Sequence, residues 1–488
     1  MNNKLILSRY RLFIFLKQIY TGLFRMFDRA ADNMSSLESN KNIKIGLLFL
    51  GRKRPGFDMD WGAAMEIKVR EAVRQTTFDV FEPSQKAVDE ASLRKVVGEC
   101  REAGVNVLML LQTTMADGRM APTLAQIWPH PPIFWATPEN QEGDMISSCS
   151  LVGAHVWATS FRHMGRSFEL LKGDPEDQET LGKLDTSVRI TGIIQKLRHT
   201  RVGVVGGQAP GFITMSTDPF VMHRGLGVQL QTYSLIEFQN VVNELSEEAV
   251  STDVEKAKAL GLEYKDASED DLPMASRLYL AMRHFFEEEN LDVLGVRCWP
   301  EMPNTFGQWP YLGMARLADE GMAIACEGDA DGGIGALIGE MFGMGRCYIS
   351  DWLEHDEETI TLWHVGAAPP SLCPPCGEPG AAKIAKHFNV KKPSVVESEL
   401  KAGMPLTLFR LWRFEGDYHL SSVDALSEKP RRKLMMSNGQ ARLINRNPNE
   451  WFEDMCYAGM PHHLNVFEGN HTAKLKRFAR VAGIQWHD

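Results

Sequence analysis

The chain has 488 residues, 44% of them hydrophobic, more than one core of ordinary size needs, so two to four domains are expected. Its 63 acidic against 53 basic residues leave a formal charge of -10, which excludes a general binder of nucleic acid or anionic membrane and favours small-molecule chemistry. The eight cysteines are scattered, several within apolar runs, and read as reduced thiols in a cytoplasmic compartment rather than as a disulfide framework.

Residues 1–42 form a basic, aromatic N-terminal extension in which the first acid is Asp28. Its apolar run "LFIFL" is broken by Lys17, too short to span a bilayer, and no small-residue cleavage pattern follows, so no stable membrane insertion is expected. A disordered segment, an amphipathic helix and an over-long start before Met34 all fit this stretch.

From Ile43 the pattern changes to short apolar strands alternating with amphipathic helices. "IKIGLLFL" (43–50), "VNVLMLLQT" (105–113) and "PPIFWAT" (131–137) read as strands and "DWGAAMEIKVREAVRQ" (60–75) as a helix. This alternation predicts a parallel sheet covered on both faces, a Rossmann-like domain over 43–175. The charged stretch "LLKGDPEDQETLGKLD" (170–185) reads as a linker.

A second Rossmann-like domain is predicted over 176–366. It opens with helix "TSVRITGIIQKLRHT" and strand "RVGVVGG" and continues through helix 271–290, strand 291–298, helix 311–321, strand 322–326, helix 333–343 and strand 346–350. "GVVGGQAPGF" (203–212) matches neither GxGxxG nor the P-loop pattern and is taken as a tight strand-to-helix turn. Beyond "AAPPSLCPPCGEPG" (367–380), pieces such as "PLTLFRLWRF" predict a β-rich, antiparallel or barrel-like C-terminal domain over 367–488. The single CxxC pair, Cys373 and Cys376, reads as part of a Pro-rich connector, since it supplies only half a structural zinc site.

The stretch "AIACEGDADGG" (323–333) carries three acids, and counting excludes a calcium loop: with Glu327 at position 1, position 12 is Ile338 rather than a bidentate acid. Glu327 follows one expected strand and Asp351 follows the next, with a helix between. As neighbouring parallel strands, their carboxyl ends would bring the two acids to one edge, roughly 5 Å apart. Like charges at that distance oppose joint ionisation, and a divalent cation relieves the conflict. His364 in "LWHVG" and the histidines of "PHH" (461–463) are candidate nitrogen ligands, and a mixed carboxylate and imidazole set suits Mn²⁺ or a similar ion. Asp329 and Asp331, followed by two glycines, are expected to shape the turn and cap the next helix.

"CEGDADG", "ISDW", "LWHVGAAPPSL" and "PHHLNVFEGNHTAKLKRFARVAGI" together resemble the successive metal-site segments of the L-fucose isomerase and L-arabinose isomerase superfamily. The resemblance implies two Rossmann-like domains followed by a β-rich one, and Mn²⁺ held by Glu327, Asp351 and His463. His364 joins the set by likeness to the arabinose-type members. Asp351, 24 positions after Glu327, favours the fucose side. It further implies aldose to ketose isomerisation through a cis-enediol, with Glu327 and Asp351 as both ligands and acid/base groups. A homo-oligomer with the active site near a subunit interface is implied as well.

Two further segments bear on substrate. "VRCWPEM" (296–302) ends another strand of the same unit, so Arg297, Trp299 and Glu301 are expected at the same edge, where an aromatic face and a cation suit a polyol or an anionic sugar. The loop "GRKRPGFDMDWG" (51–62) places Arg52 and Arg54 after the first strand, where a basic loop on an acidic chain reads first as a solvated loop paired with local acids and second as a hint of an anionic sugar, sulfonated or phosphorylated. The reading is thus a metal-dependent sugar isomerase of the L-fucose and L-arabinose type, with an isomerase of an anionic sugar such as sulfoquinovose as the alternative and, in another class, a non-catalytic sugar-binding protein.

Overall fold

The computed structural model describes residues 43–51, 57–142 and 144–488. Among them no helix is long and apolar enough to cross a membrane. The extension 1–42 and the two loop arginines, Arg52 and Arg54, lie outside the described residues.

The fold is α/β, with parallel sheets followed by an antiparallel barrel. Strands β1 (Lys44–Leu50), β2 (Asp79–Phe81), β3 (Val107–Gln112), β4 (Ile133–Ala136) and β5 (Glu169–Lys172) make a parallel sheet in the order β2-β1-β3-β4-β5. β1, β3 and β4 are apolar along their length because helices cover both faces. A second parallel sheet joins β6 (Arg201–Val205), β7 (Gln229–Tyr233), β9 (Val293–Val296) and β10 (Ala323–Cys326) in the order β10-β9-β6-β7, while β8 (Glu263–Tyr264) belongs to the third sheet.

That third sheet holds β11 (Tyr348–His355), β12 (Thr359–His364), β13 (Lys383–Ala385), β14 (Val395–Glu399), β15 (Pro405–Phe414), β16 (Asp417–Glu428), β17 (Ser437–Leu443), β18 (His463–Glu468) and β19 (Gln485–His487). Six of these strands run β16-β15-β18-β11-β12-β17, every neighbour antiparallel, and β16 pairs back onto β17 to close the ring. Closure removes the edges that an open six-stranded sheet would present.

One sequence expectation about placement does not hold. The strand leading to Asp351 is not the parallel neighbour of β10: β11 lies in the barrel between β12 and β18, antiparallel to both, and β10 is left at the edge of its own sheet. An apolar pentapeptide reads alike in either setting, and its partner is fixed by β18 more than a hundred residues on. The expected linker 170–185 is also structured, since it contains the end of β5 and the first turns of the helix Gln178–Leu197, capped by Asp177. Two helices, Pro448–Tyr457 and Thr472–Ala482, interrupt the expected β-rich region.

What joins sheet to barrel is the helix Ala330–Met341. Its Ile334 and Ile338 share one core with Val202, Val204 and Val293 of the parallel sheet and with Phe409, Leu411 and Phe467 of the barrel. Full burial of each such side chain contributes about 1.5–3 kcal/mol. Gly339 allows the close approach: a Cβ there would overlap the ring of Phe467. The carboxyl end of β10 is thereby held against β11, β12 and β18.

Candidate active site

Four chain segments meet at this seam. Glu327 leaves β10 with φ of 61°, in the left-handed region, and Gly328 follows with φ of 75°. This double turn packs against the loop after β6: the Ala209 N–H donates to the Glu327 carbonyl at 2.9 Å, and a Cβ on Gly328 would overlap the Gly207 carbonyl oxygen. The strained backbone swings the Glu327 side chain across the seam toward the barrel. Asp351 and His463 face each other as a register pair of β11 and β18, and His364 ends β12.

The side chains converge. His463 Nε2 lies 3.4 Å from Glu327 Oε2 and 3.5 Å from Asp351 Oδ1. His364 Nε2 lies 3.9 Å from Asp351 Oδ1. Glu327, His463 and His364 are buried, whereas the Asp351 side chain keeps 23% of its exposure and so opens the site to one side. His462 stands at this mouth, its Nε2 3.6 Å from Asp351 Oδ1 and 3.8 Å from Glu327 Oε2, with its ring over Phe212.

Three of these atoms, Glu327 Oε2, Asp351 Oδ1 and His463 Nε2, are buried and make no hydrogen bond. Leaving even one such atom unpaired is costly, so three aimed at one point call for a partner. Two donors about 2.1 Å from a shared ion, at angles somewhat above a right angle, stand about 3–3.5 Å apart. The two separations from His463 Nε2 fit. Glu327, His462 and His463 each place a donor atom within 4.8 Å of the others, with Asp351 Oδ1 beside both histidines, and such a mixed oxygen and nitrogen set with an open side suits Mn²⁺.

Other contacts fix each donor. Trp299 Nε1 donates to Glu327 Oε1 at 3.2 Å, which leaves Oε2 for the convergence point. His463 Nδ1 donates to Asp329 Oδ2 at 2.8 Å, and Arg410 donates to the same carboxylate at 2.6 and 2.8 Å. Asp329 also caps the helix Ala330–Met341 by accepting from Gly332 N at 3.0 Å. His364 Nδ1 lies 3.0 Å from the Ile349 carbonyl, which sets its tautomer and leaves Nε2 bare.

The electrostatics of the ion-free site follow from these contacts. Burial disfavours the His463 cation, but Asp329 and Glu327 outweigh it and hold the imidazole up at about 10. Burial would raise the Glu327 carboxyl, yet His462 and His463 beside it hold it well below its ordinary value. For Asp329, burial is again the opposing effect, and Arg410 with His463 drives the carboxyl far down. Without an ion the carboxylates are therefore held charged against the His463 cation, the place a bound cation would take over.

The structure thus brings Glu327, Asp351, His463, His364 and Trp299 together. Arg297 and Glu301 stand at the same sheet edge but are spent on each other: Arg297 Nε donates to Glu301 Oε2 at 2.9 Å, and a second guanidinium nitrogen bonds Oε1. The acids assigned to the turn do more than shape it. Asp329 orients His463, and Asp331 accepts from Arg413 and from Tyr418 at 3.0 Å. Sequence reasoning missed Arg410, Phe212 and Cys326, whose Sγ lies 3.5 Å from His364 Nε2. All eight cysteines are free.

No family model matches the chain. It is similar to the sulfoquinovose isomerase of Priestia aryabhattai, 24% identical over 450 residues that cover 91% of this chain and 99% of that protein. The sulfoquinovose isomerase of Alkalicoccus urumqiensis is 29% identical over 312 residues, 63% of this chain and 69% of its own length. Among solved structures, a periplasmic solute-binding protein from Actinobacillus succinogenes 130z with bound D-allose aligns with 61% of this chain and 91% of its own at 13% identity. Its TM-score of 0.18 is too low to support any argument from that likeness.

Proposed function

We propose that this chain interconverts sulfoquinovose and its ketose, using a divalent ion, Mn²⁺, held by Glu327, Asp351 and His463. The chain is an enzyme, an aldose–ketose isomerase, as its match to sulfoquinovose isomerases supports, two of them over 91% of its length and two over 63%. The observation that carries the finer reading is the convergence of three unpaired buried donors, Glu327 Oε2, Asp351 Oδ1 and His463 Nε2. A non-catalytic sugar binder leaves those atoms without a role. Likeness to the L-fucose and L-arabinose isomerases in the metal-site segments supports the same chemistry.

When bound, the ion polarises adjacent sugar oxygens and so acidifies the proton alpha to the carbonyl. The residues then divide the work. Glu327, with Oε1 engaged by Trp299 and almost no exposure, anchors. Asp351, the carboxylate open to the mouth, takes the C2 proton of the open-chain aldose and delivers it to C1 through a cis-enediol on one face of the sugar, while the O2 hydroxyl proton passes to O1, so that the C1 carbonyl becomes a hydroxyl and C2 the new carbonyl. His462 and Phe212 form the wall the sugar meets, and Trp299 closes the floor. Arg297 is paired with Glu301, and the basic residues Arg52 and Arg54, which lie outside the described residues, are proposed for the sulfonate from their charge alone. A homo-oligomer in the cytoplasm completes the reading.

The test is hydrogen exchange at C2 in D₂O, followed by NMR with Mn²⁺ for sulfoquinovose, L-fucose and L-arabinose. Exchange fastest on sulfoquinovose is expected. Exchange confined to a neutral sugar would overturn the substrate, and none on any sugar, with or without Mn²⁺, would overturn the mechanism.

A further inference from the structure

The donors at the seam sort into two sets that share one imidazole. One is the carboxylate set with His463. The other joins Cys326, His364 and His463, all buried, with one donor atom from each within 4.8 Å of the others. Cys326 ends β10 directly before Glu327, and its thiol meets His364 of the barrel.

We propose that Cys326 Sγ, His364 Nε2 and His463 Nε2 form a second cation site, selective for Zn²⁺ or an ion of similar softness, which excludes the catalytic ion by taking the same His463 lone pair. Three observations support it. In a tetrahedral site with a metal–sulfur bond of about 2.3 Å and a metal–nitrogen bond of about 2.0–2.1 Å, sulfur and nitrogen stand about 3.5 Å apart. Cys326 Sγ stands 3.5 Å from His364 Nε2 and 3.6 Å from its Nδ1, over the ring, so that a turn of the short Cys326 side chain on binding carries the thiol to the Nε2 lone pair. Both imidazoles are turned correctly, with Nδ1 of His364 on the Ile349 carbonyl and Nδ1 of His463 on Asp329, so that each presents Nε2. A fourth ligand is at hand in Asp351 Oδ1, 3.9 Å from His364 Nε2 and 3.5 Å from His463 Nε2, which leaves no open position for substrate.

Thiolate and imidazole select thiophilic ions, whereas the carboxylate set accommodates Mn²⁺. On binding, the Cys326 thiol proton passes to water and the sulfur ligates as thiolate, with no change in oxidation state. The ion reaches the site through the mouth at Asp351. The consequence for catalysis rests on the isomerase reading, but binding itself does not.

Co²⁺ titrated into the ion-free full-length protein tests the site directly. A thiolate-to-cobalt charge-transfer band in the near ultraviolet is expected in the parent, retained when the exposed Cys376 and Cys456 are both changed to Ser and lost in Cys326→Ser. In the Mn²⁺-loaded protein, the Zn²⁺ concentration that halves C2 exchange should rise by at least about tenfold in Cys326→Ser. A parent without the band overturns the site whether or not the variant folds, as does a band that survives Cys326→Ser. The band without Mn²⁺-dependent exchange would leave the site standing and remove the isomerase reading. Exchange without the band would do the reverse.

Discussion

Asp329 Oδ2 lies 2.8 Å from His463 Nδ1, while Arg410 grips the same carboxylate through two guanidinium nitrogens, and all three side chains are almost fully buried. The carboxylate keeps His463 in the tautomer that presents Nε2, and the guanidinium keeps the carboxylate ionised. Asp329→Asn should therefore weaken Mn²⁺ binding by about 10–100-fold. Electron paramagnetic resonance of free Mn²⁺ measures this without reference to turnover, and unchanged affinity would remove the orienting role. Arg410→Met leaves the Asp329 charge buried and should cost about 3–5 kcal/mol in urea unfolding.

Glu327→Gln and Asp351→Asn should each lower retained metal, but they should differ in the chemistry. With Asp351 as proton carrier, Asp351→Asn should reduce C2 exchange by about 10²–10⁴-fold even at saturating Mn²⁺. Glu327→Gln, the anchor, should recover part of its loss as Mn²⁺ is raised. Equal recovery of both variants would show that Asp351 is a ligand only.

Gly328→Ala introduces a side chain at φ of 75° and against the Gly207 carbonyl. The left-handed backbone alone costs about 1–2 kcal/mol, and the overlap adds to it. A lowered thermal midpoint is expected, together with weaker metal binding, because the same turn aims Glu327. A variant as stable as the parent would mean that the turn can move aside freely.

Burial pushes the Glu340 carboxyl up to about 7, with Arg346 only partly offsetting it. Its value in the folded chain thus exceeds the unfolded one, so the stability it contributes is present below about pH 4.5 and is lost as pH rises through about 7. Glu340→Gln should match the parent near pH 4.5 and exceed it above pH 8, by on the order of 3 kcal/mol at most. Chemical denaturation at the two pH values checks this, and an equal difference at both would refute it.

The apolar runs of β1, β3, β4, β6, β9 and β10 show in the sequence because a strand buried on both faces has no polar alternation to blur it. Glu327, Asp351 and His463 could be named for their chemistry and their order along the chain, but not for the geometry that joins them. Asp351 was expected beside β10 in one parallel sheet, and it arrives instead from the barrel, because the partners of β11 are chosen by distant hydrogen bonding. The contacts of Asp329 with Arg410 and His463 span 81 and 134 positions, so no local pattern announces them. Its nearer duty, capping the following helix, does carry a local signature and was anticipated.

The seam between sheet and barrel also makes the site a gauge of how those two bodies sit. Glu327 hangs from β10, while Asp351, His364 and His463 hang from strands of the closed ring, so a slide between the two changes the separations of Glu327 from these barrel residues and none among the barrel residues themselves. An ion at the convergence point acts as a rivet through both plates. Its departure would loosen the joint along the helix Ala330–Met341, where amide exchange would register the slackening before either body had itself begun to unfold.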